Sequence, residues 1–167
     1  MDVYLVRHAI AEERDSARWP DDSKRPLTAE GASRFRSAAR GLRRLAPELD
    51  VVLASPYVRA WQTAEILHDE AGWPAPEPAP ELEPSFPDAA IELLQDHAGR
   101  SVALVGHEPH LSELASLLVS GDEHTLRLEL KKGGTVLLAF DGRSAVGTAT
   151  LRWSVAPKIL RMLDSST

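Results

Sequence analysis

The 167-residue chain has no cysteine, and only 5% of its residues are aromatic. Without cysteine there is no disulfide framework, thiolate metal site or cysteine nucleophile, so any chemistry must come from other polar side chains. No apolar run approaches the roughly 20 residues that a membrane-spanning helix needs, and no basic leader precedes the first apolar run. We therefore expect a protein that is neither membrane-bound nor exported, with the cytoplasm as its compartment.

Basic residues are in the minority and unevenly distributed. The net charge of −6 argues against a nucleic-acid partner, because a nucleic-acid binder normally carries a basic face. The acidic excess lies in residues 61–130, with 14 acidic and 2 basic side chains, whereas residues 1–60 and 131–167 are each net basic. If the fold brings the two ends together, convergent arginines form a local anion site despite the acidic average.

Short apolar runs alternate with amphipathic segments along the chain. The strand candidates are residues 3–6, 50–54, 101–105, 126–130, 135–140 and 147–155. The helix candidates are residues 28–46, 55–71, 88–98 and 109–119. Thr28, Ser55 and Asp88 are the predicted caps of the first three helices. Segment 73–87 is so rich in proline that it predicts an extended surface connection without regular structure.

This alternation predicts the α/β class. We expect a three-layer sandwich, with a mostly parallel central sheet, helices on both faces and at least one antiparallel strand. The length fits one domain over residues 1–167.

Unusual polar residues follow three of the predicted strands. Arg7 and His8 follow the first strand, residues 55–59 follow the second, and residues 106–109 follow the third. Ligands of open α/β sheets bind outside the carboxyl ends of the strands, where neighbouring parallel strands bring such residues together. The sequence therefore predicts a cationic pocket that contains a nucleophilic imidazole, and phosphate is the ligand that suits it.

The residue types fit phosphoryl transfer. The guanidinium groups of Arg7 and Arg59 present planar forks that match phosphate oxygens and stay charged at ordinary pH. A neutral imidazole at His8 can attack phosphorus and form a covalent intermediate. The predicted helices that begin near Pro56 and Pro109 point their N-termini at the same edge, which favours an anion.

Four segments together resemble the histidine phosphatase superfamily, the phosphoglycerate mutase-like group. They are residues 5–9 (LVRHA), 25–31 (RPLTAEG), 55–64 (SPYVRAWQTA) and 105–109 (VGHEP). Each motif is weak alone, but their order and their positions after strands make the combination specific. The short length and the VGHEP motif make the chain most similar to the SixA-type phosphohistidine phosphatases, over roughly its whole length.

The resemblance implies that His8 is the phosphorylated nucleophile and that Arg7, Arg59 and His107 bind the phosphoryl group. It implies hydrolysis of the intermediate by water and no metal or other cofactor. One position departs from the family pattern, because Ala9 stands where the motif usually has glycine. We expect the alanine to affect the backbone geometry at this position and not the chemistry of the site.

The acid that protonates the leaving group is less clearly marked. Larger relatives use a carboxylic acid from a loop after the second helix, so Glu81 is the first choice and Glu83 the second. Glu108, beside His107, is the third candidate. Phosphohistidine needs such an acid less than a phosphate ester does, because imidazole is the less basic leaving group. Arg25 either lines the pocket rim or anchors its loop.

The resemblance implies a metal-independent phosphatase. The expected substrate is a phosphohistidine on a protein, of which a histidine phosphotransfer domain is one example. A small phosphoester is the alternative within the enzyme class. A non-catalytic module that binds phosphate or a phosphoprotein is the alternative outside it, supported only by Ala9 and the unclear acid.

Several other residues have simpler interpretations. His68, His97, His110 and His124 are expected to be surface or capping residues, and Ser55 a helix cap. Trp61 is expected to belong to the core. The arginines along the first helix fit a solvated face, with the docking of an acidic protein as the alternative; they are Arg34, Arg36, Arg40, Arg43 and Arg44.

Overall fold

The structure, a computed structural model, describes residues 1–83 and 87–165. Six strands form one sheet: β1 (Asp2–Arg7), β2 (Val51–Ala54), β3 (Pro76–Pro78), β4 (Val102–Gly106), β5 (Thr135–Ala139) and β6 (Thr150–Val155). Their order across the sheet is β3-β2-β4-β1-β5-β6. The pairs among β1 to β4 are parallel, whereas β5 runs antiparallel to both β1 and β6. The predicted α/β class, with a mostly parallel sheet, is confirmed.

Helices cover both faces of the sheet. They are α1 (Ala29–Leu45), α2 (Val58–Ile66), α3 (Pro87–Asp96), α4 (His110–Ser120) and α5 (Pro157–Asp164). Buried side chains of α1, α2 and α5 pack on one face, and those of α3 and α4 pack on the other. This is the expected three-layer sandwich. None of the described helices combines the length and the apolar character that a bilayer crossing requires.

The central strand β1 is buried on both sides. Tyr4 and Val6 face the layer of α1, whereas Val3 and Leu5 face the layer of α4. Such burial explains a continuous apolar run in place of an alternating one. β1 pairs with β4 in a register that sets Arg7 opposite Gly106, so the residues that follow both strands leave the sheet side by side.

The proline-rich segment contains regular structure, so the prediction of an irregular connection was wrong. Pro76 pairs with Val52 to make β3 a parallel edge strand, and a 3₁₀ turn follows at Pro80–Leu82. Proline is tolerated on an edge strand, because the amide that it lacks would face solvent. Trp73 and Leu82 are buried, which ties this segment to the core.

Other boundaries also differ from expectation. Residues 126–130 form no strand, and the Leu126 amide bonds instead to the Ser116 hydroxyl. Helix α2 begins at Val58, three residues after its predicted cap, and α5 was not predicted. The predicted cap by the side chain of Asp88 lies outside the residues whose side chains are described.

Candidate active site

A pocket of about 510 Å³ opens where β1 and β4 end. We call it the strand-end pocket. The residues that line it are Arg7, His8, Ala11, Glu12, Glu13, Arg14, Arg25, Arg59, His107, Glu108, Pro109, His110 and Lys132. The two histidines and two arginines expected to converge from three separate motifs therefore line one cavity.

His8 is held as a neutral imidazole. Its Nδ1 lies 2.7 Å from the carbonyl oxygen of Ala9, and because a carbonyl only accepts, Nδ1 carries the proton. The lone pair is therefore on Nε2. Burial, together with repulsion from Arg59 and Arg7, lowers the pKa of His8 to about 3 against the opposing effect of the hydrogen bond to Ala9. At neutral pH the ring is thus uncharged and nucleophilic at Nε2.

Ala9 fits its place without strain. Among the described residues, no amino acid other than glycine has a positive φ, so the alanine needs no conformation that favours glycine. The Ala9 amide donates to Thr63 Oγ1 at 3.0 Å, and that hydroxyl donates to the carbonyl of Arg59 at 2.7 Å. These two bonds link the backbone beside His8 to the first turn of α2.

His107 lies beside His8, and the centroids of the two rings are 5.4 Å apart. Its Nε2 is 2.9 Å from the hydroxyl of Ser55, and its buried Nδ1 has no hydrogen-bond partner among the described residues. Burial lowers the pKa of His107 to about 3. The Ser55 hydroxyl accepts from the Tyr57 amide at 3.3 Å, near the start of α2. Its contact with the His107 ring is a second role, which the prediction of a helix cap did not include.

Arg59 and Arg25 share one carboxylate. Arg59 is 3% exposed and donates from Nη1 to the Asp22 carbonyl at 2.8 Å and from Nη2 to Oδ2 of the Asp22 carboxylate at 3.0 Å. Arg25 donates from Nε to the other carboxylate oxygen at 2.8 Å and from Nη1 to the Glu12 carbonyl at 2.7 Å. Arg25 thus both lines the pocket and anchors the loop. The hydrogen bond from Arg25 lowers the pKa of Asp22.

Arg7 is oriented by a different segment of the chain. Its Nη1 donates to the carbonyl of Leu130 at 2.8 Å. The buried Nε atoms of Arg7 and Arg59 both lack a hydrogen-bond partner in the described part of the chain. Each guanidinium therefore has one N–H donor without a partner, while hydrogen bonds from its other nitrogens set its orientation.

The three candidate acids occupy different positions. Glu108 lines the strand-end pocket, and burial raises its pKa, although its carboxylate accepts from the amide of Ser112 at 3.1 Å and from the Ser112 hydroxyl at 2.6 Å. Glu81 lies exposed on the 3₁₀ turn and Glu83 follows that turn. Neither is among the described residues that line the pocket.

Asp22, His110 and Lys132 were missed: the last two line the pocket, and Asp22 holds two of its arginines. Asp22 carries no motif, and its role depends on a loop that returns to α2. His110 was expected at the surface but lines the pocket, and its position three residues after His107 was a usable signal. Lys132 comes from the turn before β5. Within residues 1–83 and 87–165, no three His, Asp or Glu side chains group so that they could hold a metal ion.

Known proteins are similar to this chain in sequence and in fold. Residues 3–84 match the model of the histidine phosphatase superfamily (branch 1). Phosphohistidine phosphatase SixA of Escherichia coli (strain K12) is 30% identical over 167 residues, which cover 97% of this chain and 98% of that protein. A structure of the protein histidine phosphatase SixA complexed with tungstate matches with a TM-score of 0.82 and 29% identity, over 96% of this chain and 99% of that one.

A more distant solved structure shares the fold alone. It is a proposed α-ribazole-5′-phosphate phosphatase from Escherichia coli, with a TM-score of 0.72 and 19% identity, over 94% of this chain and 98% of that one. The alignment with the SixA relative covers nearly the full length of both proteins. The motifs around His8 and His107 line one pocket. The chain therefore belongs to the histidine phosphatase superfamily and is a phosphatase.

Proposed function

We propose that this phosphatase hydrolyses phosphohistidine on a protein through a covalent phosphoryl intermediate on His8. The observation that carries the proposal is the state of His8. Its proton is fixed on Nδ1 by the Ala9 carbonyl, so Nε2 holds the lone pair at the edge of a cationic pocket. Its pKa of about 3 keeps that nitrogen unprotonated throughout the physiological range.

Arg7, Arg59 and His107 bind the phosphoryl group in this mechanism. The unpartnered Nε–H groups of Arg7 and Arg59 are donors that a phosphoryl oxygen satisfies. If the Ser55 hydroxyl donates to Nε2 of His107, the proton of that neutral ring sits on Nδ1, which supplies a third donor. Fixed donors aimed at developing negative charge are the main source of catalysis in phosphoryl transfer.

The reaction has two displacement steps. His8 Nε2 attacks phosphorus as the bond from phosphorus to the leaving imidazole nitrogen breaks, and the leaving ring takes a proton from an acid or from water. Water then attacks phosphorus of phospho-His8, the P–Nε2 bond breaks, and inorganic phosphate leaves. His8 returns to its neutral form, so the cycle needs no further reactant.

We assign the leaving-group acid to Glu108, with Glu81 and Glu83 as the alternatives from the sequence. Glu108 lines the pocket, and its raised pKa favours the protonated form that an acid needs. Glu108→Gln and Glu81→Gln form a matched pair. We expect Glu108→Gln to slow an alkyl phosphate ester by about 10²-fold or more and phosphohistidine much less. Equal losses on both substrates would contradict the assignment, and a loss only in Glu81→Gln would transfer it.

Two substrate classes are compatible with the pocket. The similarity to a phosphohistidine phosphatase at 30% identity over nearly the whole chain supports a protein phosphohistidine, such as that of a histidine phosphotransfer domain. A small phosphoester is the second candidate, because the strand-end pocket alone, at about 510 Å³, has room for one. The ratio of kcat/KM values for the two classes decides between them.

The test is phosphate release in EDTA from a histidine-phosphorylated protein and from p-nitrophenyl phosphate. We expect wild type to release phosphate, His8→Ala to be inactive on both, and the exposed His124→Ala to match wild type. Acid-sensitive label from a phosphoryl donor should appear on His8 alone. Turnover by His8→Ala would exclude the intermediate, and turnover of the ester alone would exclude the protein substrate.

A further inference from the structure

A second basic cavity adjoins the strand-end pocket. This groove, of about 360 Å³, lies between α1, α5 and the turn before β5, and we call it the basic groove. Its described lining includes no acidic residue and five basic ones: Arg34, Lys131, Lys132, Lys158 and Arg161. The chain as a whole has a net charge of −6, so the groove has the opposite sign of charge to the rest of the protein.

Three of the five cations are available to a ligand. Arg34 pairs with Glu30 at 3.2 Å, and Lys131 pairs with Glu129. Lys132, Lys158 and Arg161 have no ion pair with any of the described residues. Lys132 and Lys158 are exposed, so their charge is presented to solvent and attracts an anionic surface.

The floor of the groove is apolar and adjacent to the nucleophile. Ala9 and Ile10, the residues that follow His8, line it together with Phe35 and Pro157. Ile10 is 39% exposed, and so it offers apolar surface beside the cations. A combination of apolar floor and basic rim fits a polypeptide segment better than a free phosphate ion, which has no apolar part to bury.

The groove is tied to the strand-end pocket through the backbone. The amide of Gly133 lies 3.1 Å from the carbonyl oxygens of both Arg7 and His8, and the Arg7 amide donates to the carbonyl of Gly134 at 3.1 Å. Gly133 has a φ of 78°, which favours glycine, and a Cβ there would lie 3.0 Å from Phe35. These bonds fix Lys132 at the border, where it lines both cavities.

We propose that the basic groove is a docking surface for an acidic segment of the protein substrate that carries the phosphohistidine. The inference rests on the proposed function and extends it, because it makes charge beside the phosphorylated residue a determinant of specificity. A small ester occupies the strand-end pocket alone and does not reach the groove cations at Lys158 and Arg161. The groove therefore favours a protein substrate with acidic residues near its phosphohistidine.

The test compares two synthetic peptides that each carry one phosphohistidine, flanked in one by glutamates and in the other by lysines, with p-nitrophenyl phosphate as the small substrate. The variant is Lys158→Glu with Arg161→Glu. Its matched control is Arg127→Glu with Arg143→Glu, which reverses the same charge at two exposed arginines that line neither cavity.

We expect wild type to prefer the acidic peptide and the groove variant to lose about tenfold in kcat/KM for it, since steering by exposed charge is of this order. Turnover of p-nitrophenyl phosphate should stay unchanged in both variants, which also shows that they fold. Should the groove variant be unfolded, Lys158→Gln with Arg161→Gln repeats the test with a smaller change. Equal loss in groove and control variants, or no peptide preference in wild type, would overturn the proposal.

A second readout separates docking from catalysis. Anisotropy of a fluorescent, unphosphorylated acidic peptide should show binding to the inactive His8→Ala protein that the groove variant weakens. If wild type turns over neither phosphohistidine peptide but this binding persists, the proposed function fails and the docking surface stands. If the groove variant loses only its cosedimentation with vesicles of phosphatidylserine and phosphatidylcholine, the surface is a lipid site and the proposal is wrong.

Discussion

The strand-end pocket and the basic groove are both rich in cations, but they hold their charges differently. Arg59 and Arg25 are nearly buried, and each is fixed by a backbone carbonyl and by the carboxylate of Asp22. Lys132 and Lys158 in the groove are exposed and have no ion pair with described residues. Buried cations lose hydration and need fixed partners, so they are preorganised; exposed cations stay hydrated and act at a distance. We therefore propose a catalytic role for the first set and attraction of the partner for the second.

Truncation of one cation from each region gives the largest contrast. We expect Arg59→Ala to lower kcat/KM for p-nitrophenyl phosphate by about 10² to 10³-fold, as loss of one preorganised donor does elsewhere. Arg59→Lys should recover little, because an ammonium lacks the planar fork. Lys158→Ala should stay within about twofold of wild type on this substrate, since exposed charges are screened. Similar losses for Arg59→Ala and Lys158→Ala would erase the distinction between the regions.

The histidines of the pocket should make stability depend on pH. The pKa values of His8 and His107 are about 3 in the folded chain, against 6.5 in the unfolded one. Between these values the unfolded chain binds more protons, so stability is full above pH 6.5 and falls as pH falls towards 3. The loss is up to about 2.8 kcal/mol per pH unit for the pair, at 1.4 kcal/mol for each group.

Denaturant unfolding at pH 7, 6, 5 and 4 measures this slope. We expect the double variant His8→Asn with His107→Asn to have a shallower dependence on pH than wild type. The exposed His124→Asn serves as the control and should keep the wild-type slope. Parallel curves for all three proteins would show that the pocket histidines are not held neutral by the fold.

Asp22→Asn removes the carboxylate that the two buried arginines share. Loss of one partner from a fully buried ion pair costs about 3 to 5 kcal/mol, but Asp22 is 42% exposed, so we expect about 1 to 2 kcal/mol. Inorganic phosphate should then raise the melting temperature of the variant more than that of wild type, because it replaces the lost negative charge. The exposed Asp141→Asn is the control. An unchanged melting temperature for Asp22→Asn would mean that solvent already screens the charges of the two arginines and that the carboxylate adds no stability.

The smallest effect is expected for the free energy of unfolding of a groove variant. Lys158→Ala should change the free energy of unfolding by no more than about 0.5 kcal/mol, as for most exposed substitutions. Urea denaturation beside Asp22→Asn measures both. A loss for Lys158→Ala as large as that for Asp22→Asn would show that the groove cation is part of the folded framework and not a hydrated side chain.

The sequence was informative where one element determines its own position. The run before Arg7 and His8 is continuously apolar, so it predicted a buried parallel strand and the edge of the sheet to which these residues project. The same reasoning placed His107 after β4. The predicted Thr28 cap is confirmed, since its hydroxyl accepts from the Gly31 amide at 2.9 Å. The Ser55 cap was less secure, because a serine beside a proline fits both a helix start and a partner for a distant ring.

The rest depended on contacts between distant segments. Residues 76–78 become a strand only because β2 offers them an edge, which no local preference of proline reveals. Asp22 reaches Arg59 across 37 residues, and neither residue's neighbours mark the pair. Helix α5 is short, and it is stabilised by packing of Leu160 against Gly41, where a side chain on the glycine would clash with the Leu160 backbone.

The position of β1 has a consequence for synthesis on the ribosome. β1 lies between β4 and β5 in the sheet. Translation reaches β4 only at residue 102 and β5 only at residue 135. At about 5 to 20 residues per second, the nascent apolar strand waits on the order of 5 to 20 s for β4. During that time its edges and both faces are unpaired and open to self-association or to a chaperone. The strand that carries His8 at its end is synthesised before the other five strands of the sheet, yet both of its edges are paired only when β5 joins the sheet.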